Sequence, residues 1–272
     1  MSITHNYVYK ISSLIFIIFF ISFFHYTATA SENVRDKKAV ELEQKILPEI
    51  DKLLSKSDYR NVERVLAESI EYILENKLTH DCITYDVLSI NYHLAIIEKR
   101  WRDLSNILFK YGNLNNVYSP KFNTLENCHL SSTYFRVGVR SYNTRDYSSV
   151  PYAMPSYIDK ISTISHHTQT SLTALYASLF LIYDAEDKMD PAPEKFFNLK
   201  LLKEDVHQVL DDRIKAAYHE RIGSSFLKLN SSDEAKQHFH KSMTYLNKLN
   251  SQYPDDNDLK NWIQRVTELE NK

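Results

Sequence analysis

The sequence predicts an all-α fold. Its 272 residues include only three glycines, whereas average usage would give about nineteen. Apolar residues recur at intervals of three and four along most of the chain after residue 36, and this is the period of an amphipathic helix. The chain contains no Asn-Gly or Asp-Gly pair, the strongest short signal for a β-hairpin. These three observations favour helices over strands.

The first thirty residues have the layout of a secretory signal peptide. Lys10 is the single charge, residues 11–24 are an apolar run, and Ala28-Thr29-Ala30 supplies the small residues of a cleavage site. The run is shorter than the roughly 20 residues that span a bilayer as a helix. We therefore predict cleavage between Ala30 and Ser31, a periplasmic or secreted product, and no integral membrane span after cleavage. An uncleaved anchor is the alternative.

The composition excludes several classes of function. The formal net charge of −2 lacks the basic excess that nucleic-acid binding requires. The three glycines do not match the motif of a glycine-rich phosphate loop, a dinucleotide fingerprint or a nucleophile elbow. No acid, base and nucleophile occur in a recognisable order, so we predict a protein that is not an enzyme and has no cofactor. No linker interrupts residues 31–272, which are predicted to form a single domain.

Helix pairs are predicted along the first half of this domain. The first pair covers residues 36–76, with a break at residues 55–58 where Ser and Asp can cap helix ends. Pro48 is expected to kink or restart its first helix. The second pair covers residues 83–98 and 103–111. An Asn-rich segment follows at residues 112–127 and is predicted to be a loop.

The second half begins less regularly. Pro151 and Pro155 are expected to prevent an uninterrupted helix across residues 148–156. Pro151 could nevertheless open a helix if Ser149 or Val150 lies at its start. Residues 171–184 are apolar on nearly every side, which predicts a helix buried within the domain. Further helices are predicted at residues 199–210, 214–229 and 233–250, before a last amphipathic helix with Leu259, Trp262, Ile263, Val266 and Leu269 on one stripe. That helix is expected to cap the end of the fold.

Residues 216–249 carry small and aromatic residues at the spacing of two touching helices. Gly223 is followed by Phe226 at +3, Ala235 at +12, Phe239 at +16 and Ser242 at +19. This pattern resembles the tetratricopeptide repeat, and a weaker copy starts at Gly138. Five possible registers begin at residues 50, 92, 138, 177 and 223. Their separations of about 39–46 residues exceed the 34-residue period of the family.

The resemblance implies a specific architecture and mode of action. The family forms a right-handed array of antiparallel helix pairs, an α-solenoid closed by a capping helix. Its first helices line a concave face that binds proteins or peptides. The longer separations imply a stretched and irregular array.

Cys82 and Cys128 are the only cysteines. An even number in an exported chain predicts a disulfide. Two free, buried thiols are one alternative. A zinc site is another, because His80 and His129 lie beside the two cysteines and would complete four ligands.

Seven of the 19 tyrosines fall between Tyr111 and Tyr157, among Asn, Ser, Thr and Arg. Tyrosine with small polar neighbours forms adaptable binding surfaces. The candidate surface consists of Tyr134, Tyr142, Tyr147, Arg140 and Arg145. The alternative is that these tyrosines pack the edges of the repeats.

The sequence therefore predicts an exported, non-enzymatic module that binds a protein or peptide, such as an adaptor or scaffold in the cell envelope. The main alternative is a stand-alone or truncated extracytoplasmic sensory domain of a bacterial signalling receptor. An all-helical envelope enzyme is the third and least favoured possibility. The sequence does not identify the partner.

Overall fold

The computed structural model describes residues 36–79, 81–110, 128, 133–162, 168–190 and 211–272, without the side chains of residues 133, 160 and 162. These residues form ten α-helices and one 3₁₀ turn. The helices are α1 (Lys37–Leu54), α2 (Tyr59–Glu75), α3 (Cys82–Ile97), α4 (Trp101–Lys110), α5 (Thr133–Asn143), α6 (Val150–Ser162), α7 (Gln169–Met189), α8 (Asp212–Lys228), α9 (Ser232–Gln252) and α10 (Asn257–Glu270). The 3₁₀ turn is Tyr147–Ser149. These ranges contain no strand, so the all-α prediction is confirmed for them.

Aspartates are the N-cap residues of several helices. Asp58 accepts a hydrogen bond from the Asn61 backbone N–H at the start of α2. Asp211 and Asp256 do the same for α8 and α10, at N–O distances of 2.9 and 3.0 Å. Each side chain satisfies one of the backbone donors that a helix start leaves unpaired. The predicted break at residues 55–58 is confirmed, because it lies between the end of α1 and the start of α2.

Pro48 does not restart a helix, because α1 continues through it, and α6 likewise continues through Pro155. Both prolines are exposed, so water can reach the carbonyl groups that lose their intrahelical donors. The expectation for residues 148–156 is confirmed in part, since α6 begins at Val150, after the 3₁₀ turn. Pro151 lies in the first turn of α6, where the missing N–H has no helical partner to lose.

Helix α7 is, after α3, the most enclosed of the helices described. It packs on α3, α6 and α1, and fifteen of its 21 residues are buried. The expectation of a buried helix at residues 171–184 is therefore confirmed. Helices that follow one another in the chain also pack together: α1 on α2, α3 on α4, α5 on α6, α8 on α9, and α9 on α10.

Residues far apart in the chain also meet. The Tyr59 hydroxyl at the start of α2 donates to Asp211 before α8, at 3.0 Å. The Tyr253 hydroxyl at the end of α9 donates to the Lys56 carbonyl at 2.6 Å. These partners are 152 and 197 residues apart. In a one-dimensional repeat array each unit contacts only its neighbours. The contacts between the C-terminal helices and the first helix pair are therefore not of the kind that such an array makes.

The two helices around Gly223 form an antiparallel hairpin. The Gly223 backbone faces the Phe239 ring and the Ala235 carbonyl of α9, while the Ser242 hydroxyl donates to the Ala216 carbonyl at 2.9 Å. Phe226 is half-buried against the same core. Gly138 in α5 similarly faces the Met154 and Ala153 side chains of α6. The residues singled out in the sequence therefore lie where these helices come closest.

The two glycines are expected to respond differently to alanine. A Cβ at position 223 would lie 2.8 Å from the Phe239 ring and 3.1 Å from the Ala235 carbonyl oxygen, and a fully buried ring cannot easily move. Overpacking of this kind costs about 1–3 kcal/mol, more than the roughly 1 kcal/mol that alanine gains in helix propensity. We expect Gly223→Ala to lower the free energy of unfolding by about 1 kcal/mol in urea denaturation.

Gly138→Ala is the matched comparison. The nearest atoms there are the Sδ and Cγ of Met154, and a flexible thioether side chain can adapt. The gain in helix propensity should then offset most of the packing cost, leaving the free energy of unfolding within about 0.5 kcal/mol of the parent. Equal losses in both variants would contradict this distinction.

Candidate functional site

Cys82, the first residue of α3, is joined to Cys128 by a disulfide. Tyr85 packs with this pair in a small cluster separate from the main core. Both sulfur atoms are used in the bond, so neither is a thiolate ligand of the kind that the zinc hypothesis requires. The other proposed ligands, His80 and His129, lie outside the described residues. Among the residues that are described, no three His, Cys, Asp or Glu side chains are placed to hold a metal ion.

The candidate tyrosine surface divides into exposed and buried parts. Tyr134, Arg140 and Arg145 are exposed, and Tyr147 is half-buried. Tyr142 is only 8% exposed, with its ring centroid 4.6 Å from that of Trp101 and 5.3 Å from that of Tyr147. Burial raises the pKa of its phenol far above the usual value. Tyr142 therefore belongs to the core between α4 and α5, which corrects its place in the candidate surface.

Helices α4, α5 and α6 expose large apolar side chains. Phe109 on α4 is 93% exposed and Tyr152 on α6 is 86% exposed. Tyr134 and Val137 on α5 are 50% and 39% exposed. We call these four residues the α4–α6 surface. Single exposed apolar residues are common in proteins, but exposed aromatic side chains are also the anchors that binding interfaces use.

A groove of about 340 Å³ runs between α1 and α2. It is lined by Glu41, Leu42, Lys45, Ile46, Glu49, Val65, Glu68, Ser69 and Tyr72. The α1 residues are spaced by four along one face, as are the nearest α2 residues, so each helix presents one stripe to the groove. Sequence reasoning missed this site. The signal was present as glutamates that recur at helical intervals beside an apolar stripe.

A buried ionic cluster joins α3, α8 and the start of α10. The Arg213 guanidinium, 1% exposed, donates to the carboxylates of Glu98 and Asp256 and to the Ser57 carbonyl. Arg100 donates to the other oxygen of Glu98 at 2.7 Å and to Glu63. These charged side chains thus connect residues 57–63, residues 98–100, Arg213 and Asp256.

Glu220 is the centre of a second part of this cluster. Its carboxylate accepts from the Trp262 indole at 2.7 Å and from the Arg265 guanidinium at 3.0 Å, and it lies 3.4 Å from the Lys99 ammonium. Burial alone would raise the pKa of Glu220, but Lys99, Arg265 and Arg221 lower it to about 2. The carboxylate is therefore ionised and held by cations at neutral pH.

The arginines of the cluster also bind the end of α3. Arg221 donates to the Ile96 and Ile97 carbonyls at 2.6 and 3.0 Å, and Arg265 donates to the Glu98 carbonyl at 3.0 Å. The last carbonyls of a helix have no intrahelical donor. Arg221 is also paired with Asp184 of α7 at 2.8 Å. This arrangement assigns the cluster a structural role.

His219 and His238 face each other between α8 and α9. Their Nδ1 atoms are 3.1 Å apart, a distance at which one neutral imidazole donates to the other. Burial, followed by the nearby Lys241, lowers the pKa of His238 to about 4. His238 is therefore neutral at physiological pH.

Comparison with known proteins finds no matching family model, no matching curated protein and no matching solved structure. The class that the structure defines is an all-α protein with a disulfide and a buried ionic cluster. None of the described helices combines the length and the apolar character that crossing a membrane requires.

Proposed function

We propose that this chain is an exported, non-enzymatic helical-repeat module, related to tetratricopeptide repeats, that binds a protein or peptide partner in the cell envelope. The observation that carries the proposal is the α4–α6 surface. Its exposed aromatic rings are side chains that often dominate the energy of binding interfaces. The exposed Arg140 lies on the same helix as Tyr134, and arginine is also enriched at interfaces.

The hairpin of α8 and α9 supports the relation to tetratricopeptide repeats. Gly223 allows α9 to approach α8, and the buried Phe239 fills the space beside it. The remaining helix pairs would form a right-handed but irregular array with α10 as its capping helix, and in this array α8 and α10 also contact α2 and the end of α3. Export is supported by the signal-like residues 1–30 and by the Cys82–Cys128 bond, since disulfides persist in oxidising compartments.

A photo-crosslinking experiment tests the proposed binding surface. A photoreactive residue at position 152 should crosslink a partner in envelope fractions of the native host, and the same residue at the exposed position 264 on α10 should not. Loss of an interfacial aromatic side chain costs about 2 kcal/mol or more. The double variant Tyr134→Ala, Tyr152→Ala carries the photoreactive residue at another position of the α4–α6 surface. Its yield of crosslinked partner should therefore be lower than that of the parent by about tenfold or more.

The melting temperature is the control for this experiment. Both tyrosines are exposed, and exposed substitutions usually change stability by less than about 0.5 kcal/mol. The melting temperature of the double variant should therefore stay within about 2 °C of the parent. Equal capture at positions 152 and 264, or unchanged capture by the double variant, would rule out the α4–α6 surface as the binding site.

A further inference from the structure

The groove between α1 and α2 lies on helices that do not contribute to the α4–α6 surface. It has an apolar floor formed by Leu42 and Ile46 of α1 and Val65 of α2, all buried. Its volume of about 340 Å³ is at the lower end of the range for ligand pockets, about 300–1,000 Å³. A groove of this size suits one or two anchoring side chains better than a large ligand.

Ser69 is the smallest of the residues that line the groove. This residue lies between Val65 and Tyr72 along α2, and its hydroxyl donates back to the Val65 carbonyl at 2.6 Å. The hydroxyl is thus satisfied within its own helix, and the short side chain leaves the space that a larger residue would fill.

Three glutamates and one lysine line the rim of the groove, and two further cations lie beside it. The glutamates are Glu41, Glu49 and Glu68, and the lysine is Lys45. Glu41 is 3.6 Å from Lys37, and Glu68 is 2.8 Å from Arg64. Both are exposed pairs within one helix, and such pairs contribute little to stability. The carboxylates can therefore exchange these partners for the cations of a ligand at low cost.

We infer that this groove binds a peptide segment in which a bulky apolar side chain is flanked by lysine or arginine. The apolar side chain would enter the floor between Leu42, Ile46 and Val65, and the flanking cations would pair with the glutamates of the rim. Burial of the anchor supplies affinity, while the opposite charges supply orientation and selection against acidic segments.

Fluorescence anisotropy tests this assignment with a labelled amphipathic peptide of leucine and lysine. A second peptide has glutamate in place of every lysine. The full protein should bind the Leu/Lys peptide and not the Leu/Glu peptide, and affinity should fall as salt is raised because exposed charges are screened. No detectable binding of the Leu/Lys peptide, or equal binding of the two peptides, would overturn the inference.

Charge-reversal variants locate the peptide on the protein. Glu41→Lys with Glu68→Lys changes two rim residues and should weaken binding of the Leu/Lys peptide about tenfold. Glu234→Lys with Glu268→Lys makes the same change in net charge at exposed positions of α9 and α10, outside the lining, and it should change the affinity less than about twofold. Equal weakening by both variants would show non-specific attraction to an acidic protein and would overturn the site.

Filling the groove provides a test that does not depend on charge. Ser69→Leu should abolish binding, with the helical circular-dichroism signal retained. If that variant fails to fold, Ser69→Val serves in its place, with a smaller loss expected. Tyr152→Ala should leave peptide affinity unchanged, which separates this site from the α4–α6 surface. If the parent is a dimer in sedimentation and Ser69→Leu is a monomer, the groove holds a second copy of the chain and the peptide assignment is wrong.

Discussion

Replacing Arg213 with alanine is expected to lower the free energy of unfolding by about 3–5 kcal/mol. The guanidinium is 1% exposed and pairs with Glu98 and Asp256 while donating to the Ser57 carbonyl. Its removal leaves two carboxylates in a poorly solvated interior, and it also removes the contact with the Tyr59 ring, whose centroid is 4.6 Å from the guanidinium carbon. Urea denaturation followed by circular dichroism measures the loss.

Arg64→Ala is the matched control, because it also removes one arginine from an ion pair with a glutamate. Both partners in that pair are exposed, so the expected loss is about 1 kcal/mol or less. Adding Glu98→Gln to the Arg213→Ala variant should recover part of the larger loss, because it neutralises one of the carboxylates left behind. Similar losses for Arg213→Ala and Arg64→Ala would show that the cluster is solvated.

Removing the disulfide is expected to have the second large effect. Cys82 and Cys128 are 46 residues apart, and closing a loop of that length stabilises the folded state by about 4 kcal/mol in the chain-entropy model. Cys82→Ala with Cys128→Ala should lower the free energy of unfolding by about 2–4 kcal/mol. In a chain of this size the melting temperature should fall by about 10 °C, as measured by thermal denaturation.

A reducing agent distinguishes loss of the bond from loss of the side chains. Reduction should lower the melting temperature of the parent toward that of the double variant, and it should leave the double variant unchanged. Thiol labelling followed by mass spectrometry counts the free cysteines in each sample. A parent whose two cysteines are labelled without reduction would contradict the disulfide.

Helix positions could be predicted because their signals are local. Asp256 precedes the last helix, and its carboxylate caps the helix start through Leu259. Gly223 and Phe239 are only sixteen positions apart in the sequence, so a hairpin with a short turn brings them together. Such relations follow from helix geometry and turn length, and neither requires knowledge of the rest of the fold.

The buried ionic cluster could not be predicted in the same way. Charged residues are normally exposed, and the partners Glu98 and Arg213 are 115 residues apart. A weak signal was available in α8, where Arg213 and Glu220 lie seven residues apart on one side of a helix that is buried at ten of its positions. Charges in such a helix require internal partners.

The errors at Tyr142 and Pro155 also have tertiary causes. The residues around Tyr142 in the sequence have the composition of a binding loop. In the structure, Tyr142 lies on α5 and its ring packs against Trp101. Pro155 removes one backbone donor, yet its exposed position allows the helix to continue. The groove between α1 and α2 was missed because a groove depends on how two helices pack, which the hydrophobic pattern of either helix alone does not specify.

The arginines that bind the end of α3 have a consequence for the order of folding. Arg221 and Arg265 contribute donors to carbonyl groups at residues 96–98, although they are synthesised more than a hundred residues later. Contacts between such distant segments slow folding because a long loop must close before they form. The third helix therefore acquires its final hydrogen bonds only after the last helix has been synthesised and has docked.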